Sequence, residues 1–214
     1  MTIKKGDFIS LDYVGKLAQT GAIFDLTDEK LAKKHNLFDP NQKYGPVTIC
    51  VGERQLVPGI DDFVVGKELK EYNLELNPEG GFGRRIPKLI QLTSLKKFKD
   101  HKMNPYPGAR VMIDNMPATV RSISGGRVLI DFNHPLAGKK LNYKIKINKI
   151  ITDKKEQAKS LLEKFVPTKD VTITLKEKVL SIKLPNKEQL TQILDTIKND
   201  MQRLIKDIKT VKFN

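Results

Sequence analysis

Along this chain of 214 residues, apolar and polar positions alternate with a period of two in some stretches and with helical spacing in others. Alternation marks strands because successive side chains point to opposite faces of a sheet. Residues 7–17 show it first, with Phe8, Ser10, Asp12 and Val14 on one side and Ile9, Leu11, Tyr13 and Gly15 on the other. A short strand over 22–25 follows the turn Gln19-Thr20-Gly21, and the pattern resumes over 47–51 and 67–76. Residues 141–150 are the cleanest case, since odd positions are apolar and even ones mostly basic until Ile150. That strand has one buried and one wet face.

Helical spacing appears between these strands. Residues 27–36 predict a helix starting at Thr27, with Asp28 and Glu29 in the first turn, where the helix dipole favours acids. The run Gly52-Glu53-Arg54-Gln55-Leu56-Val57-Pro58-Gly59-Ile60 turns a strand sharply into a short helix, with Ile60, Phe63 and Val64 on one side and Gly66 as its stop. Asn77-Pro78-Glu79-Gly80-Gly81-Phe82-Gly83 cannot continue a central strand, because proline lacks the N–H donor and the glycines invite positive φ. It reads as a surface turn presenting Phe82.

A change of character begins at Arg84-Arg85-Ile86-Pro87. Isolated leucines and isoleucines sit in a basic background, and segments 109–113, 118–123 and 126–131 read as a β-meander with turns at Asp114-Asn115 and Gly125-Gly126. Met103, Met112 and Met116 fall here; they are either core filling or an adaptable apolar binding face, since thioethers repack readily. Beyond residue 152 a third pattern follows. Thr152 caps a helix carrying Ala158, Leu161, Leu162 and Phe165, ended near Pro167. A hairpin crosses Glu177-Lys178, and Asn186 caps a long helix with Leu190, Ile193, Leu194, Ile197, Met201, Leu204, Ile205 and Ile208 on one face.

The predicted fold is α+β in four segments: 1–83 and 132–151 form one antiparallel sheet domain with a short helix, 84–131 is a β-rich insertion, and 152–214 is an α-β-β-α unit with room for a final strand. An insertion at a surface turn is tolerated when its ends lie close together. The last unit has a thin core by itself, and its broad helix face predicts a homodimer.

Charge sharpens this division. The net charge of +14 gathers after residue 84, while residues 1–83 are slightly acidic. Basic surfaces attract polyanions, so proximity to ribosomal or other RNA is one expectation, with plain solubility as the bland alternative. No aromatic-interleaved basic motif favours specific nucleic-acid recognition. No stretch of about twenty apolar residues occurs and the N-terminus lacks the apolar core of a secretory signal, so no membrane association and a cytoplasmic location are expected. Cys50, the single cysteine, sits in an alternating run as a buried or half-buried thiol and forms no internal disulfide. His35, His101 and His134 are isolated, so no metal site is expected. A phosphate-cradling loop, a dinucleotide fingerprint and a hydrolase elbow are all missing, and no cofactor is expected.

Asp12-Tyr13-Val14-Gly15, Ile23-Phe24-Asp25, residues 46–60, Phe82-Gly83 and residues 133–141 together resemble the FKBP family of peptidyl-prolyl isomerases. The resemblance covers residues 1–151 and is to SlyD-like forms with a domain inserted in a flap, most of all an archaeal long type. It implies a prolyl pocket formed by Tyr13, Phe24, Asp25, Val47, Leu56, Val57, Ile60, Phe82 and Tyr143. It also implies rotation of X-Pro bonds in unfolded or refolding proteins, and an insert that binds unfolded segments as a chaperone. Two positions depart from the family's pattern. Ile60 replaces a tryptophan that often floors the pocket, and Phe82 stands where many members have a tyrosine, which leaves shape without a hydroxyl donor. A chaperone or peptide-binding module with weak or vestigial turnover is therefore the second reading.

Overall fold

The computed structural model describes residues 2–100, 103–166, 171–184 and 190–214. The expected stop at Pro167, the cap at Asn186 and His101 lie outside the described residues. The architecture is α+β, and the chain divides into two compact units. One comprises Met1–Lys16, Ala22–Leu74 and Asn142–Asn214, the other Leu17–Gly21 and Glu75–Leu141.

A five-stranded sheet carries β1 (Phe8–Leu17), β2 (Ile23–Leu26), β3 (Val47–Cys50), β4 (Glu71–Leu76) and β9 (Leu141–Ile151) in the order β2-β1-β9-β4, with β3 also paired to β1. β9 follows its alternation, with Tyr143, Ile145 and Ile147 buried and the lysines between them exposed. β1 does not alternate in burial, because Phe8, Ile9, Ser10 and Leu11 are all buried. Helix α1 (Glu29–Lys34) is capped by Asp28, whose carboxylate accepts from Leu31 N at 3.0 Å, and not by Thr27. Thr27 is instead drawn into the sheet, where its hydroxyl donates to Asp12 Oδ1 at 2.9 Å and accepts from Tyr13 N at 3.1 Å. Helix α2 (Pro58–Val64) opens on proline, whose missing N–H costs nothing at a helix start, and Gly66 beyond it has φ +77°.

In the second unit, β5 (Ile90–Ser94), β6 (Arg110–Ile113), β7 (Met116–Ser124) and β8 (Arg127–Asp131) form an antiparallel sheet in the order β5-β8-β7-β6. The hairpin turns at Asp114-Asn115 and Gly125-Gly126 have positive φ at both positions, which is why Asn and Gly occupy them. β5 and helix α3 (Leu95–Asp100) have no counterpart in the pattern reading, since β5 is an edge strand whose Leu92 is 64% exposed. Phe98, Val120, Val128 and Ile130 centre this unit's small core. Within this unit the stretch that leads into β5 meets the end of β8 and the residues after it at Asp131 and Asn133. The Asn133 amide accepts from Ile86 N at 2.8 Å and donates to Ile86 O at 3.0 Å, while buried Asp131 pairs with Arg85.

The C-terminal elements are α4 (Lys154–Leu162), β10 (Thr172–Lys176), β11 (Val179–Lys183), α5 (Thr191–Leu204) and β12 (Thr210–Phe213). α4 is capped by Asp153 instead of Thr152, and Phe165 lies beyond the helix, 40% exposed, outside the apolar stripe. Ile205 and Ile208 leave α5, because the chain turns there to lay β12 parallel to β11. Leu194, Ile197 and Met201 of α5 are buried within the single chain, in a cluster with Leu161, Leu162, Leu180, Ile182 and Val211. Phe8 and Cys50, opposite each other in the β1–β3 pairing, belong to the same cluster. That explains the two-faced burial of β1. Among the described residues, no helix is long and apolar enough to cross a membrane.

Cys50 is 1% exposed, and burial first, then Glu53, pushes its thiol up to about 11. The folded chain therefore keeps a proton that an unfolded cysteine releases near pH ~8.5. Stability from this group is complete below that pH and is lost as pH rises toward the folded value. Urea melts should show a fall of about 2 kcal/mol from pH ~8.5 to ~10 that is absent in Cys50→Ala. An unchanged slope in the variant would assign the effect elsewhere.

Candidate functional site

β1 and β2 pair with Val14 opposite Leu26 and Gly15 opposite Asp25, but Lys16 faces Ile23. Phe24 is therefore the extra residue of a β-bulge. In a regular strand Phe24 and Asp25 would point to opposite faces, whereas a bulge re-aims one of them. Both reach the same group of rings. The Tyr13 hydroxyl donates to Asp25 Oδ2 at 2.8 Å, and the Phe24 ring stands edge-on to Tyr143 at 5.7 Å and 89°. Tyr143 in turn meets Tyr13 edge-to-face, with centroids 6.0 Å apart. These separations and tilts are the favourable ones for aromatic quadrupoles.

Gly15 makes room for this cluster. A Cβ there would lie 2.8 Å from Phe24 Cζ and 2.9 Å from Tyr143 Cε1, closer than real side-chain contacts permit. Its φ is ordinary, so the requirement is space and not backbone freedom. Burial first, and Asp25 next, raise the Tyr13 and Tyr143 hydroxyls well above the usual phenol range. Both rings therefore keep their protons, and Tyr13 remains a donor.

The other predicted site residues enter through the neighbouring elements. Val47 is opposite Leu11 in the β1–β3 ladder, so it shares a sheet face with Leu11 and Tyr13. Leu56 and Val57 are half-buried at the entry of α2, where Val57 is the cap residue, and Ile60 is buried one turn further on. The turn that delivers them is held by Asp61, which is 3% exposed and accepts from Gly52 N at 2.9 Å and Arg54 N at 2.8 Å. Phe82 belongs to the second unit, where its ring stacks on His134 at 4.4 Å with 3° between the planes. Tyr13, Phe24, Asp25 and Tyr143 are thus joined by direct contacts, while Val47, Leu56, Val57 and Ile60 are placed by register and by α2.

Gly15, Asp61 and His134 are absent from the set read from sequence. A glycine inside an alternating aromatic strand signals close approach, which makes Gly15 findable. An acid in a first helical turn has a ready local reading as a dipole partner, and this masks Asp61's hold on the preceding turn.

A separate cleft of about 570 Å³ in the second unit is lined by Phe98, Met103, Met112 and Ile113 with polar Thr93 and Lys97 among its walls. Met112 and Met116 are more than half exposed, at 58% and 52%.

Comparison with known proteins gives matches to both units. A family model described as the IF domain of FKBP26 matches residues 91–136. The short-type peptidyl-prolyl cis-trans isomerase of Methanocaldococcus jannaschii is 34% identical over 149 residues, which cover 69% of this chain and 94% of that protein. The FKBP-type 16 kDa peptidyl-prolyl cis-trans isomerase of Escherichia coli is 31% identical over 111 residues, or 49% of this chain and 74% of that one. The SlyD isomerase of Treponema pallidum is 23% identical over 118 residues, covering 53% and 67% of the two chains.

Proposed function

Since the chain belongs to the FKBP-type peptidyl-prolyl cis-trans isomerases, in a SlyD-like form with an inserted domain, we propose that it accelerates X-Pro rotation in unfolded or refolding proteins while the insert captures the client chain. Within that family we place it among the long archaeal forms, which residues 1–151 resemble most. Tyr13, Phe24, Asp25 and Tyr143 wall the proline site, with Val47, Leu56, Val57 and Ile60 completing its apolar lining. The observation that carries this reading is the bulge-built cluster in which the Tyr13 hydroxyl is committed to Asp25 while the Tyr143 ring meets both Tyr13 and Phe24 edge-on.

An X-Pro amide is planar through resonance and crosses a barrier of ~18–20 kcal/mol when it twists. Charge separation in the planar form is favoured by water. Apolar walls that exclude water while fitting the twisted imide lower the barrier without a nucleophile, metal or cofactor. A reduction of ~5–8 kcal/mol corresponds to roughly four to six powers of ten in rate. Asp25 fixes Tyr13, and so the shape of the wall, instead of attacking the substrate.

Met112, Met116, Leu92 and Tyr106 are each more than half exposed on the insert, and the thioethers among them are able to repack against varied unfolded segments. A tethered capture site raises the local concentration of prolyl segments near the pocket. A protease-free tetrapeptide assay tests the catalytic half: micromolar protein should accelerate cis-trans relaxation well above the spontaneous rate. No acceleration would leave a chaperone without turnover.

A further inference from the structure

Nothing in the isomerase reading uses the C-terminal elements, yet one of them grips the turn that leads to Leu56 and Val57. Arg203, in the last turn of α5, presents both terminal nitrogens to Glu53: Nη1 to Oε1 and Nη2 to Oε2, each at 2.8 Å. Asp200 Oδ1 accepts from the same Nη2 at 3.0 Å and fixes the guanidinium from its own helix. Such a two-point fork sets direction as well as distance, which a lysine cannot do.

The gripped turn needs support. Gly52 has φ +96° and Arg54 has φ +49°, the latter a left-handed conformation that a side chain disfavours and that persists only when its surroundings enforce it. Asp61 holds the turn from within through Gly52 N and Arg54 N, and the Gln55 side chain accepts from Cys50 N at 3.2 Å. Arg203 holds the one residue between those two amides, from outside. α5 is itself anchored, because Ile197 and Met201 are buried in the cluster that contains Phe8 and Cys50. The chain thus runs from a fixed helix, through a fork, to a turn two residues ahead of Leu56.

On the basis of the isomerase reading, we propose that Arg203 is a positioning residue for the prolyl site, acting through Glu53, and that residues 152–214 serve as a brace that sets the entry of α2. The Arg203 guanidinium also holds the Glu53 carboxyl below the usual carboxylate range, as a persistent contact requires. Arg203 is 55% exposed and Glu53 26%, so solvent screens the pair and its contribution to global stability is small. Its effect falls on the geometry of Leu56 and Val57.

The full-length chain and its Arg203→Ala, Arg203→Lys, Glu53→Ala and Arg203→Ala/Glu53→Ala forms distinguish this from a passive surface pair. In the tetrapeptide assay, Arg203→Ala and Glu53→Ala should each lower kcat about three- to tenfold with KM within about twofold, the double variant should be no worse than either, and Arg203→Lys should fall between. Thermal midpoints should stay within a few degrees of the parent. Activity equal to the parent in both single variants, or losses that multiply in the double variant, overturns the brace. Hydrogen exchange gives a second readout that needs no turnover: the Gly52 and Arg54 amides should exchange at least about tenfold faster in Arg203→Ala. Should the parent itself fail to accelerate isomerisation, the isomerase reading falls, and unchanged exchange at these two amides would separately remove the brace.

Discussion

Tyr143→Ala is expected to lower kcat/KM for a proline tetrapeptide by at least about a hundredfold and to cost about 3–5 kcal/mol of stability. The ring is 4% exposed and is the shared partner of two others, Tyr13 at 6.0 Å and Phe24 at 5.7 Å, so truncation opens a cavity where both lose their edge contact. Without that neighbour the shape proposed to fit a twisted imide is gone, and in that proposal complementarity to the transition state supplies the rate. Tyr143→Phe keeps the ring and should retain activity within about threefold, because the edge contacts with Tyr13 and Phe24 do not depend on the hydroxyl. Gly15→Ala tests the same cluster from the other side by forcing a methyl group to within 2.8 Å of the Phe24 ring. Steady-state assays beside near-UV circular dichroism separate misfolding from a lost pocket. A folded Tyr143→Ala protein with parental kcat/KM would remove the cluster from the mechanism.

Replacing residues 84–131 by a short flexible linker should leave tetrapeptide turnover within about threefold of the parent while slowing catalysis of a proline-limited refolding reaction by at least about tenfold. A tetrapeptide needs only the proline site. A refolding chain presents its prolines rarely, and the proposed tethered capture surface would compensate by raising their local concentration. The ends of the removed segment are near each other: Gly138 N donates to Gly83 O at 2.8 Å, and Asn133 bonds twice to Ile86. Closing so short a gap adds little loop entropy. Equal losses on both substrates, measured by fluorescence-detected refolding and the peptide assay, would show that the insert does not serve capture.

Much of the fold was legible because its signals are local. Asp114-Asn115 and Gly125-Gly126 mark hairpins since few other residues accept two successive positive φ values, and β9 declares its buried face through strict alternation. Cap positions were each missed by one residue, at Thr27 for Asp28 and at Thr152 for Asp153. Both members of each pair are good cap residues, and the choice at the first was made by Asp12, whose carboxylate takes the Thr27 hydroxyl from a distant part of the chain. The end of α5 was unreadable for a related reason. Ile205 and Ile208 continue the helical apolar pattern, but they are buried where the chain turns to place β12 beside β11, a parallel pairing with no local signature.

The candidate site divides in the same way. By itself the amino-acid order determined which side chains are apolar, aromatic or acidic, which face of each strand they favour, and where the backbone must turn. Tertiary structure alone decided that a bulge at Phe24 brings that ring and Asp25 to one cluster, that Gly15 is the space into which two rings fit, and that a helix late in the chain holds Glu53. Dihedral preference and side-chain polarity act over a few residues, and so they are written locally. Register, close approach and ion pairing across 150 residues depend on which surfaces pack, and packing is settled only when the whole chain has folded.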